Sequence, residues 1–230
     1  MAEPWKLLFA RAVEQLEQGG VTKKDWAFGG GTVLTHKYNH RESKDIDIFF
    51  RDPQILGFVS PRVNDGVEAS LLHYSEQANH TRLQFKEGEV DFILGEQISE
   101  MKPSFIKVLD TYVNVEHPVE IVAKKIHYRA EKFKPRDMFD LAVVFDAQRE
   151  SMLRNAGAFA EKLPVLAQRI EALEHSGEID NRLGELAVLP GGEKIRGRET
   201  KLCKEFIQAV EKKLEKGYAL DKGRGRGIEL

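Results

Sequence analysis

The feature that most constrains this chain is a run of glycines set between an apolar stretch and a helix. Trp26-Ala27-Phe28 leads straight into Gly29-Gly30-Gly31-Thr32, and Val33 to Tyr38 then has helical character. A strand that turns into a helix through glycines presents backbone N–H groups at the first helical turn, where they can cradle phosphate. A tight turn that only needs the conformational freedom of glycine leaves the same signature. No Lys-Ser or Lys-Thr follows the glycines, which excludes a Walker-type loop.

Downstream of the polar stretch His40-Arg41-Glu42-Ser43-Lys44 comes Asp45-Ile46-Asp47-Ile48-Phe49-Phe50, which alternates as a strand does. Side chains two apart on a strand share a face, so the Asp45 and Asp47 carboxylates project together. Two anions that close repel unless a cation lies between them, and oxygen donors suit magnesium, with manganese as the substitute. By itself, alternation of acidic and apolar residues also describes a half-exposed strand. The glycine turn just before it changes the reading, because a phosphate cradle that delivers its ligand to paired carboxylates is a coherent site. Asp91, within the apolar strand Val90 to Leu94, is the candidate third carboxylate of a two-metal clamp, since a buried strand keeps an aspartate only where something satisfies it. Glu89 alternates onto the same face and is the second choice.

These residues carry a resemblance. The glycine turn followed by an Asp-x-Asp strand resembles the nucleotidyltransferase superfamily that includes DNA polymerase beta. More narrowly, Gly30-Gly31-Thr32, His40-Arg41, Ser43 and Asp45-Ile46-Asp47 resemble the AbiEii/AbiGii toxin-type nucleotidyltransferases. A second stretch is similar to the same family: a helix with Lys125 (Lys124 is its neighbouring alternative), then Arg136-Asp137-Met138-Phe139-Asp140-Leu141. The resemblance implies that Asp45, Asp47 and Asp91 hold Mg²⁺. It also implies that Gly30, Gly31 and Thr32 bind the β and γ phosphates of a nucleoside triphosphate, with further contacts from Ser43 and Lys125. Asp137 would act in acceptor activation or hold the lysine in place, and Arg136 would serve the site or pair with Asp140. A family arginine falls on Lys132 or Arg129 according to the alignment. The family further implies an RNA or tRNA acceptor, with protein as the alternative, and a toxin paired with a cognate antitoxin.

The expected fold is α+β: a small mixed nucleotidyltransferase sheet with flanking helices over residues 1–117, then a helical lobe over 118–230 that completes the active cleft. Trp5, Leu8, Phe9, Ala12, Val13 and Leu16 predict an amphipathic first helix stopped at Gly19-Gly20. Pro53 to Val59 predicts a short helix, and Arg82 to Phe85 and Val90 to Leu94 a hairpin turned by Lys86-Glu87-Gly88-Glu89. Tyr112, Val113 and Val115 predict a strand ended by Pro118. Helices are expected over 119–131, 135–147, 151–173, 179–188 and 200–216, with a frayed Gly/Arg-rich tail from Asp221. The two family signatures span about residues 26 to 145 and leave the last third unmatched.

Charge separates the remaining classes. With 35 basic against 37 acidic residues the net charge is -2, so any nucleic-acid surface must be local. Lys124 to Asp137 has six Lys/Arg against two acids, and Lys194 to Leu230 has 11 against 6. Either could attract phosphate, and either is also explained as a solvated helix face. No apolar run approaches the ~18 residues of a membrane span, and the single Cys203 fits a reducing cytoplasm. His36 and His40 lack the glutamate of a metalloprotease helix, and no Gly-x-Ser-x-Gly elbow supports a hydrolase. Two further readings stay in view. One is a catalytically silent nucleotidyltransferase fold that binds RNA or protein; the other is an antibiotic-type enzyme acting on a small cationic acceptor, which would want an acidic pocket.

Overall fold

The computed structural model describes residues 3–62, 67, 70–176 and 186–224. Contacts divide the chain into two units. The first comprises residues up to Gln97, Met101–Ile121 and Val188–Gly191; the second comprises Ile98–Glu100, Val122–Ala187 and the residues from Gly192 onward.

The first unit is built on a seven-stranded mixed sheet. Its strands are β1 Trp26–Gly29, β2 Ile46–Phe50, β3 His73–Gln77, β4 His80–Phe85, β5 Gly88–Leu94, β6 Ser104–Val108 and β7 Thr111–Val115, in the order β3-β4-β5-β2-β1-β7-β6. β2 runs parallel to β5 and antiparallel to β1, while β1 and β7 are parallel. Helix α1, Pro4–Gln18, buries Leu8, Phe9, Ala12 and Leu16 and contacts β2 and β5. Alternation then decides the faces: Ile46, Ile48, Phe50, Val90 and Phe92 are buried, while Asp47 and Asp91 between them stay partly accessible. The Phe50 and Phe92 rings stack at 6.0 Å, and Phe9 meets Phe28 at 5.1 Å. Helix α2, Gly30–Tyr38, ends at Asn39, whose left-handed φ of 50° lets its N–H close on the Thr35 carbonyl at 2.7 Å. A one-turn helix, α3, spans Ile55–Phe58.

The second unit is helical. Helix α4, Pro118–Arg129, runs across the division between the units; α5 is Pro135–Arg154, α6 Leu163–His175 and α7 Glu199–Arg224. Its core gathers Phe145, Phe159 and Phe206, whose rings meet edge to face at 5.0 and 5.5 Å. Cys203 is fully buried beside them; its thiol donates to the Met138 carbonyl, and burial pushes its pKa well above the usual thiol value.

Several predicted elements differ in detail. The hairpin turn is two residues, Lys86-Glu87, because Phe85 already pairs with Gly88, so Glu89 belongs to β5. Strands β3 and β6 are absent from the sequence expectation, as neither carries an apolar alternation; β6 is exposed at nearly every position. The helix expected over 151–173 is divided: α5 continues to Arg154, a 3₁₀ turn follows at Ala156–Ala158, and α6 begins before Pro164, a residue that favours a helix's first turn. Most of the helix expected over 179–188, and the tail beyond Arg224, lie outside the described residues.

Candidate active site

The glycine turn and the carboxylates meet by strand register. Gly29 pairs with Asp47 across β1 and β2, and Asp47 pairs with Asp91 across β2 and β5. Gly30, the first residue of α2, has φ +73° and lies against Asp47, so that a Cβ there would stand 2.7 Å from the Asp47 Cβ and collide with its carboxylate. Only glycine lets the backbone turn this close to the aspartate. At Gly31 a Cβ would fall 2.8 Å from the Arg41 guanidinium and 3.0 Å from the Ser43 hydroxyl. The turn is thus lined by Asp47, Arg41 and Ser43, and the first N–H groups of α2 open beside them.

Thr32 and Ser43 lie together, and the Thr32 hydroxyl serves the scaffold. Thr32 Oγ1 donates to the Asp45 carbonyl at 2.6 Å and lies 3.1 Å from Ser43 Oγ, and Thr32 is fully buried. Asp45 in turn accepts the Glu89 N–H on Oδ1 at 3.1 Å. Arg41 is buried beneath the turn, its Nη1 donating to the Glu42 carbonyl at 3.0 Å. A strap from far along the chain secures this loop: Val188 bridges Arg41, Leu189 N–H donates to the His40 carbonyl at 3.0 Å, and Gly191 N–H to the Asn39 carbonyl at 2.8 Å.

Asp91 is the most heavily engaged of the three carboxylates. Arg82 grips it as a fork, Nε to Oδ1 at 2.7 Å and Nη2 to Oδ2 at 3.0 Å, and His80 Nε2 lies 2.9 Å from Oδ1. Arg82 Nη1 also reaches Glu89 Oε2 at 3.3 Å. Burial alone would raise the Asp91 pKa, but the bonds from His80 and Arg82 outweigh it and hold the carboxyl below its ordinary value. Arg82 is held above its own, chiefly by the bond to Asp91, with Glu89 and Asp45 adding their charge. A carboxylate offers about four lone-pair directions, so among the described residues Asp91 keeps one, on Oδ2.

An oxygen-only donor set beside a turn that excludes any side chain at Gly30 fits a hard divalent ion. Asp45, Asp47 and Asp91 are the residues that would hold it, Asp47 and Asp91 from adjacent strands and Asp45 from the position just before β2. Among the described residues, however, no three His, Cys, Asp or Glu side chains already converge as a metal cluster; Asp45 and Asp91 point to the partners just named.

Alongside the turn, the first unit has a groove of about 560 Å³. The buried Glu116 carboxylate abuts Gly29 there, and the other ionisable groups lining it are Lys37, Lys107, His36 and His117. Its balance is therefore basic.

In the second unit the residues of the other signature form a buried ion network. Lys125 Nζ lies 2.6 Å from Asp137 Oδ1 and 2.8 Å from Asp140 Oδ2, and both aspartates are wholly inaccessible. Arg129 approaches Asp137 at 3.8 Å, and the Lys134 N–H donates to Asp137 Oδ2 at 3.3 Å. Burial would raise the Asp137 pKa, yet Lys125 and Arg129 together hold it low against the repulsion of Asp140. The partner of Asp140 in this network is Lys125, while Arg136 is exposed.

Sequence reasoning assigned nothing to Arg82, His80 or the strap. Arg82 was within reach: once the turn is placed at Lys86-Glu87, antiparallel register sets it opposite Asp91. The strap carries no comparable signal.

No curated protein matches the chain. Among solved structures it is similar to an H. pylori protein designated a nucleotidyltransferase, with a TM-score of 0.52 and 16% identity, covering 94% of this chain and 98% of that one. Weaker likenesses are to antibiotic-resistance factor ANT(2'')-Ia (TM-score 0.35, 13% identity, 74% and 95% covered) and to an antigenic nucleotidyltransferase-like protein from Paracoccidioides brasiliensis (0.35, 10%, 88% and 92%). The first likeness shows the fold; the other two add nothing to it. Residues 19–181 match the family described as nucleotidyl transferase AbiEii toxin, type IV TA system. With more than half its length so matched, the chain belongs to the AbiEii toxin family of nucleotidyltransferase enzymes.

Proposed function

We propose that this enzyme transfers a nucleoside monophosphate from a nucleoside triphosphate to an RNA acceptor, with tRNA the leading candidate, in a reaction that depends on Mg²⁺. The observation that carries the reading is the register of Gly29, Asp47 and Asp91, which sets two carboxylates side by side at the mouth of the glycine turn. Asp45, Asp47 and Asp91 would hold the metal, Asp91 through the free direction on Oδ2. When bound, the metal supplies positive charge against the triphosphate.

The chain's own groups do the rest. Backbone N–H groups of Gly30, Gly31 and Thr32 face the β and γ phosphates at the start of α2. The Thr32 side chain acts indirectly, fixing Asp45 through its carbonyl, and Ser43 Oγ, which lies beside Gly31, would donate to a phosphate oxygen. In the second unit the phosphate-contact role falls to Lys125, with Asp137 and Asp140 holding its ammonium in place. The acceptor hydroxyl oxygen bonds to the α phosphorus, the bond from that phosphorus to the bridging oxygen breaks, and pyrophosphate leaves; the hydroxyl proton passes to solvent.

The basic balance of the groove favours an anionic acceptor over a cationic drug. Presence of all three aspartates speaks for an active enzyme over a silent binder. Family membership supports action as a toxin with a cognate antitoxin. We place it in the cytoplasm, on its single buried thiol and on the absence, among the described residues, of any helix long and apolar enough to cross a membrane. The test is transfer of α-³²P-labelled nucleotides, one base at a time, to total RNA and to purified tRNA. Label in RNA with matching pyrophosphate release supports the reading; pyrophosphate without labelled RNA redirects it to another acceptor.

A further inference from the structure

The carboxylate row has an occupant of its own. Asp47, Glu89 and Asp91 lie on adjacent strands with Asp45 just before β2, and Arg82 touches two of the four and is held by the charge of a third. Four anions gathered on one face of a sheet repel unless a cation offsets them. Arg82 meets that need by its register opposite Asp91 and by a fork that takes both carboxylate oxygens.

We propose that Arg82 is the resident counter-cation of this row, gripping Asp91 in the metal-free enzyme and displaced from it when a divalent ion binds. The inference rests on the reading that the row binds metal. Among the described residues, the one direction left open on Asp91 is on Oδ2, the oxygen to which Arg82 Nη2 already donates at 3.0 Å. A divalent ion there would sit next to the guanidinium, so the two cations compete for the same oxygen. Accessibility decides which group moves: the Arg82 side chain is 43% exposed and can turn into solvent, whereas Asp91 is 13% exposed and anchored by its strand. His80, 19% exposed, stays on Oδ1 and keeps the carboxylate oriented after the arginine leaves. Arg82 is thus a positioning residue that acts through Asp91 and sets the metal concentration at which the site fills.

Mn²⁺ binding, followed by loss of the free-ion electron paramagnetic resonance signal, tests this without any turnover. Arg82→Gln should bind Mn²⁺ roughly tenfold more tightly, about the factor by which one nearby charge shifts proton binding. Arg82→Lys keeps the charge and should remain near wild type. Metal-free Arg82→Gln should also melt below wild type and gain more on Mn²⁺ addition. If Arg82→Gln binds Mn²⁺ equally or more weakly, the arginine serves metal binding and the inference is wrong. Should that variant fail to fold, the wild-type chain decides. The Arg82 Nε–H resonance, identified by its loss in Arg82→Lys, should lose its exchange protection at saturating Mg²⁺; protection unchanged would overturn the proposal. Wild type binding no Mn²⁺ beyond Asp47→Ala would instead remove the metal-site reading, and this inference with it.

Discussion

Two clusters of opposite charge stand in this molecule, and they are built to different ends. In the row around Asp91 the cation comes from a half-exposed side chain on a neighbouring strand, and the anions line a partly open face. In the network of Lys125, Asp137 and Asp140 both aspartates are wholly buried and the lysine nearly so. An ion pair with one half-exposed partner is open to exchange, because water and salt compete for the accessible side chain. A buried one gains little over an apolar pair of the same shape, yet losing one member leaves an uncompensated charge in a low dielectric. The first cluster can therefore trade its arginine for another cation, while the second holds one lysine in one place.

Breaking the closed network should have the largest effect. Lys125→Met removes the ammonium that the two buried aspartates share and should cost about 3–5 kcal/mol in denaturant unfolding. Adding Asp137→Asn and Asp140→Asn to it should restore much of that loss while activity stays absent. A triple variant no more stable than the single would show that the network is not governed by charge balance.

Gly30→Ala comes next. The positive φ costs an L-residue about 1–2 kcal/mol, and the new methyl meets the Asp47 carboxylate. A melting temperature lowered by several degrees together with weaker Mn²⁺ binding is expected; unchanged metal binding would detach the turn from the metal site.

Acid sensitivity should follow the buried aspartate. The Asp137 pKa is depressed in the folded state, so its contribution is complete above the ordinary value of 3.8 and fades as pH falls through the lower, folded value. His36 and His117, both lowered mainly by burial from 6.5, add a separate loss that begins as pH drops through that value. The difference between wild type and Asp137→Asn in urea midpoint should therefore hold steady from pH 7 to pH 5 and shrink only below pH 4. A difference that shrinks near neutrality would contradict the assignment.

The smallest effect belongs to surface pairs. Lys204→Ala removes a bridge to Glu174 in which both side chains are 43% exposed, and should change stability by less than about 1 kcal/mol. A cost as large as that of Lys125→Met would erase the contrast between open and closed clusters.

How much of this was legible in the chain differs in the same way. The glycine turn, the Asp45 to Phe50 strand and α1 could be read because local pattern fixes them: glycine where no Cβ fits, period two in the strand, helical spacing for Leu8, Phe9, Ala12 and Leu16. Strands β3 and β6 could not, because they are held by pairing partners while their own residues are polar or exposed. The partners of Asp91 needed the hairpin register, and a turn placed two residues too long hid it. The meeting of Val188 with Arg41 depends on a contact between distant segments that no local pattern encodes. Lys125 was legible as a residue, and the resemblance offered Asp137 as the group that holds it, but its burial and its second contact, to Asp140, were not, since a lysine among basic neighbours reads equally well as a solvated face.

The measurement that most directly tests the central claim is Mg²⁺-dependent transfer of α-³²P-labelled nucleotide to RNA by wild type beside Asp47→Ala, with both shown folded by circular dichroism. Labelled RNA and pyrophosphate from the wild type alone, lost when Mg²⁺ is chelated, is the predicted result. Equal labelling by the folded Asp47→Ala variant would contradict the account, because the carboxylate beside the glycine turn would then play no part in the reaction.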